Sequence, residues 1–127
     1  MPSVQIFPTD PPRHYSLAAK YGNLVFLAGL CSRDPKQDFA TVGTTFEEQC
    51  AVIFKRINDA LSAAGTSIEH TVKVTIYLRD MRLHPKLVEV LPKYFRTPPP
   101  PITIVEAKLA REAEMIEIDV TAAVPNS

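Results

Sequence analysis

Charge of one sign is missing from this chain. Its 14 lysines and arginines meet 14 aspartates and glutamates, for a formal net charge of zero, so no net field draws a polyanion and no nucleic-acid partner is expected. Cysteine is scarce: Cys31 and Cys50 are the two present, without metal-type spacing around either. That pattern points to reduced thiols in the cytosol rather than a disulfide framework. His14, His70 and His84 are scattered and form no pair with ligand spacing, so neither a metal nor a cofactor is expected. The longest apolar runs, Leu24 to Leu30 and Val72 to Leu78, fall well short of a bilayer span, and the N-terminus lacks a basic-then-apolar signal. A cytoplasmic protein with no membrane partner is the expectation.

What remains is the composition of an ordinary globular protein. A hydrophobic fraction of 46% over 127 residues supplies a core for one domain, 1–127, and leaves no room for a second. Val4 to Phe7 have the length of a short edge strand before Pro8, Pro11 and Pro12. Tyr15 to Lys20 and Leu24 to Gly29 read as a hairpin around Gly22-Asn23, a pair suited to positive φ. Cys31 to Gly43 reads as a loop with its tip in water and room for a short strand.

Thr44-Thr45 before Glu47-Glu48 forms a capping-box pattern. Behind it Phe46, Cys50, Ile53, Ile57, Leu61 and Ala64 recur at helical steps, Glu47, Lys55, Arg56 and Asp59 fall off that stripe, and Gly65 stops the helix. Val72, Val74, Ile76 and Leu78 alternate with Lys73, Thr75 and Tyr77, as in a strand with one face on the core. A second helix should begin near Pro85 and kink at Pro92. Pro98 to Pro101 form a stiff extended lead into a strand over Ile102 to Ala107, and Met115 to Ala122 alternate as the last strand.

This order predicts an α+β domain: a mixed, mostly antiparallel sheet with two helices on one face. The other face would carry Tyr77, Val105 or Thr103, and Met115, a surface apolar enough to call for self-association.

Three stretches are specific when taken together. They are His14-Tyr15 leading into Gly22-Asn23-Leu24-Val25-Phe26-Leu27-Ala28-Gly29, then Val72 to Met81, then Ile116-Glu117-Ile118-Asp119. On these residues the chain resembles the YjgF/RidA family of enamine and imine deaminases over nearly its whole length. Ala28 to Pro35 after His14-Tyr15 is most similar to the 2-aminomuconate deaminase branch. The resemblance implies a chorismate-mutase-like fold, a homotrimer whose sheets form a central barrel, and small-molecule clefts between subunits. Tyr15 would line the cleft and Glu117 would position or activate water, with Ala28, Gly29, Leu30, Cys31, Arg33 and His14 around the substrate.

Departures from the family pattern shape the expected substrate. Where family deaminases hold a carboxylate with an arginine, after the proline-rich lead to the penultimate strand, this chain has Ile102, which forms no charge-assisted bonds. Val88 stands where the second helix often has asparagine, and Ala28 where serine or threonine often precedes the hairpin glycine. A pocket less polar than usual, and a substrate other than a standard amino-acid imine, is the expectation.

Each candidate also has a plainer role. Glu117 would otherwise be one half of an ordinary ion pair, and Asp119, on the same face, a solvated or cross-strand partner. Tyr15 would be a half-buried strand tyrosine, and Cys31 a small buried hydrophobe rather than a nucleophile. Arg13 and Arg33 are potential carboxylate binders, with solvated surface charge as the simpler assignment. The leading reading is a deaminase-like or hydrolase-like enzyme of a specialised catabolic or biosynthetic pathway. The alternative is a noncatalytic trimer that binds a small molecule and has lost the chemistry.

Overall fold

Thr45 starts the longest helix. Its Oγ1 accepts a bond from the Glu48 amide (3.1 Å) while Glu48 Oε1 accepts from the Thr45 amide (2.9 Å), closing the expected capping box on α1 (Phe46–Ala63). Phe46, Cys50, Ile53, Ile57 and Leu61 fall on one stripe and are buried. Gly65 takes φ +88° just past the end, the left-handed conformation that glycine adopts without steric penalty.

The computed structural model describes residues 3–125. Its strands are β1 (Gln5–Pro8), β2 (Ser16–Tyr21), β3 (Leu24–Leu27), β4 (Leu30–Cys31), β5 (Arg33–Asp34), β6 (Ala40–Thr41), β7 (Thr71–Leu78), β8 (Ile102–Glu106) and β9 (Ile116–Ala123), with α2 at His84–Val90. The main sheet runs β1-β2-β3-β9-β7-β8, with β4 also paired to β9, while β5 and β6 form a separate small hairpin. Every pairing is antiparallel except β7 with β8. That parallel pair needs a crossover, which α2 supplies. The expected α+β architecture is therefore present, with both helices on one face.

Val74, Ile76, Leu78, Ile116, Ile118, Val120 and Ala122 turn inward and are fully or almost fully buried, as strand alternation requires. Phe54 of α1 stacks on Tyr94 at 4.0 Å and meets Phe95 edge-on at 5.4 Å, joining α1 to the segment after α2. On the opposite face Tyr21, Leu24, Phe26 and Val105 stay exposed. No helix among the described residues is long and apolar enough to cross a membrane.

Local departures have identifiable causes. The β7–β9 register shifts between Thr71 and Lys73, so Thr71 is buried and Val72 is 42% exposed, the reverse of strict alternation. Pro92 does not kink a continuing helix: α2 ends at Val90 and Leu91–Lys93 form a 3-10 turn, since proline lacks the amide the next turn requires. In the β2–β3 turn Gly22 alone takes positive φ. In the loop after β4, Lys36 to Asp38 face water as expected, but Phe39 folds back into the core beneath the Arg13 guanidinium, 4.1 Å from its ring centroid.

Candidate functional site

One irregularity in the sheet builds the site. Phe26 pairs with Thr121 and Leu30 with Ile118, so one extra residue lies on the β3–β4 side, and the chain bulges at Ala28-Gly29. Ala28 turns its amide to the Leu17 carbonyl at 2.9 Å. Gly29 lies against the carboxylate of Glu117: a Cβ built on this glycine would stand 2.5 Å from Glu117 Oε2.

Cys31 is the register partner of Glu117, so the two side chains share one face. The Cys31 thiol donates to Glu117 Oε1 at 3.0 Å. Burial, reinforced by that carboxylate, pushes the Cys31 thiol up, which keeps it a protonated donor and removes the thiolate a nucleophile needs. Glu117 Oε2 receives no hydrogen bond from the described residues.

These residues form the floor of an open cleft of about 300 Å³. His14, Tyr15, Ala28 and Arg33 stand around it, joined by Arg56 and Ala110. Tyr15 meets the His14 ring edge-on at 5.0 Å. Arg33 Nε donates to Glu114 Oε1 at 2.6 Å, and the Glu114 side chain is fully buried. Burial alone would raise the Glu114 carboxyl, but the Arg33 hydrogen bond, joined by the Cys31 thiol and the charges of Arg33 and Arg111, outweighs it and holds the group below its ordinary value. Glu114 Oε2 is buried with no partner. Arg56 reaches from α1 to donate to the Cys31 carbonyl at 2.7 Å, and burial lowers its pKa.

The cleft thus gathers Glu117, Tyr15, His14, Ala28, Gly29, Cys31 and Arg33. Three other expected residues lie elsewhere in the chain. Leu30 is 1% exposed and points into the core, because alternation turns it away from the face that Cys31 occupies. Ile102 pairs with Val74 and packs half-buried against the core on the helix side. Val88 is exposed on α2. Asp119 accepts a 3.3 Å bond from the Tyr77 hydroxyl, and Arg13 is held over Phe39. No group of three or more His, Cys, Asp or Glu side chains suited to a metal ion occurs among the described residues.

Sequence reasoning missed Arg56 and Glu114. Arg56 sits off the apolar stripe of α1, where arginine normally reads as solvated. Glu114 lies in the charged run Arg111-Glu112-Ala113-Glu114, which carries no local mark of burial.

The family model described as Endoribonuclease L-PSP matches residues 8–124. A member of the YjgF protein family from Neisseria meningitidis superposes with a TM-score of 0.85 at 29% identity, covering 98% of each chain. The chain belongs to the YjgF/RidA family. Within that family a RutC family protein of Pyrococcus horikoshii is 35% identical over 120 residues, 92% of this chain and 94% of that one. Reactive Intermediate Deaminase A of Arabidopsis thaliana is 35% identical over 86 residues, 68% of this chain and 46% of that one. RidA from an Antarctic Psychrobacter matches with a TM-score of 0.83 at 27% identity, over 94% of this chain and 99% of that one. The two solved relatives thus share the fold described above.

Proposed function

We propose that the protein is a Rid-type hydrolase that acts on an enamine, imine or related unsaturated small molecule by water-assisted proton transfer. The observation that carries this reading is the Glu117 carboxylate. One oxygen is held by Cys31, and the other has no donor among the described residues and lies above Gly29, in a cleft shared with Tyr15.

In the proposed reaction the free oxygen accepts a proton from water as the water oxygen bonds to the imine carbon. The C=N π electrons move to nitrogen, which takes the proton back from Glu117 to give a carbinolamine. The hydroxyl proton then passes through Glu117 to the amino nitrogen, so that the C–N bond breaks with its electrons on nitrogen, ammonia departs and a carbonyl is left. An enamine first takes a proton on carbon to become the imine. Tyr15 positions the reacting group.

The same reading expects self-association as a homotrimer through the open sheet face. Tyr21, Leu24, Phe26 and Val105 are exposed there, and a threefold assembly would cover them.

The test is ammonia release from a panel of imines generated in situ, some acidic and some neutral. Release faster than the spontaneous rate with at least one of them is expected. Cleft binding of such molecules with no acceleration of any of them would instead favour the noncatalytic trimer.

A further inference from the structure

Arg56 is a half-buried guanidinium with its hydrogen-bonding capacity mostly unused. Of its five N–H donors, only Nη1 has a partner among the described residues, the Cys31 carbonyl. It forms no ion pair among the described residues, and a desolvated cation without a counter-charge is costly. Arg33 stands beside it on the same cleft wall. Its Nε is committed to Glu114, but its two terminal amino groups donate to no described residue. Asp34, the acidic neighbour, is occupied by the Lys36 amide and the Gln37 side chain. The two guanidiniums therefore present several unpaired donors to a cleft whose floor is the Glu117 carboxylate.

We propose that Arg56, with Arg33, forms an anion-binding end of the Glu117 cleft, so that the substrate carries a carboxylate placed there while its reacting carbon faces Glu117. This deepens the hydrolase reading and rests on it for the identity of the reacting carbon. A planar carboxylate matches the forked donors of arginine. The anchor that Ile102 lacks is thus supplied from α1 and β5, at a different place on the chain.

Titration calorimetry with 2-oxopentanoate, its methyl ester and inorganic phosphate tests the subsite. The intact protein is expected to bind the acid about tenfold or more tighter than the ester. Arg56→Met should weaken the acid by a similar factor and leave the ester unchanged, and Arg56→Lys should fall between. Equal affinity for acid and ester, no binding of the acid, or an acid affinity unchanged in Arg56→Met would overturn the proposal, as would phosphate bound as tightly as the acid. If Arg56→Met does not melt cooperatively, the acid-to-ester ratio in Arg56→Lys decides. Acid binding through Arg56 without hydrolysis of any imine would refute the reaction and keep the subsite. Hydrolysis with equal acid and ester affinities would do the opposite.

Discussion

The Cys31 thiol donates a hydrogen bond to Glu117 Oε1 at 3.0 Å, across the register pair that joins β4 to β9. Because the thiol is buried and its pKa pushed up, it acts as a fixed donor that orients the carboxylate and leaves Oε2 for a water. Cys31→Ser keeps a donor and should keep most of the activity. Cys31→Ala removes it and should lower kcat/KM by about tenfold, read by ammonia release, with KM little changed. Equal activities in the two variants would show that the bond does not position Glu117.

Gly29 is required by what lies over it rather than by its backbone, since its φ is not in the left-handed region. In Gly29→Ala the new Cβ would stand 2.5 Å from Glu117 Oε2, and the flexible end of the glutamate would move. Activity is expected to fall by about a hundredfold, the scale of a small misplacement at a reacting group. The melting temperature should hardly change. A fully active Gly29→Ala protein would contradict this placement.

The Arg33–Glu114 pair carries stability as well as shape. Arg33→Met leaves the buried carboxylate without its cation and should cost about 3–5 kcal/mol in urea unfolding. The pH dependence follows from the lowered folded-state pKa of Glu114. The stabilisation is fully present above the unfolded value of 4.5 and is lost as pH falls through the folded value. Between those values the unfolded chain binds the extra proton. Urea unfolding from pH 7 down to pH 3 should therefore show a steeper acid loss in the wild type than in Glu114→Gln, and parallel curves would refute the assignment.

Phe26 is 44% exposed on the open sheet face. A charge there would be desolvated in a threefold assembly, so Phe26→Asp should sediment as a monomer where the wild type sediments as the proposed trimer, while keeping the far-ultraviolet circular dichroism. A wild-type protein that already sediments as a monomer would refute the assembly.

Much of this fold is written locally. The Thr45–Glu48 capping box, the stripe from Phe46 to Leu61 and the alternation of β7 and β9 each depend on neighbours a few residues apart, so propensity and period expose them. The cleft is different. Glu117 and Cys31 are each visible in the chain as candidates, but their hydrogen bond exists only because the bulge at Ala28-Gly29 sets the β4–β9 register, a long-range pairing. Arg56 and Glu114 are hidden for a related reason. Each becomes buried through elements distant in sequence, while its own neighbours describe a surface. Val72 reads as core by alternation, and only the register shift beside Thr71 turns it outward.

Glu117→Gln is the most direct test of the Glu117 chemistry, because the amide keeps the shape of the side chain and an oxygen to accept from Cys31 while losing the basic oxygen. Ammonia release from the imine of 2-oxopentanoate, corrected for the spontaneous rate, should fall by about a hundredfold or more in kcat/KM, with the affinity for the 2-oxo acid unchanged. Wild-type rates in Glu117→Gln would contradict the central claim that this carboxylate moves the proton.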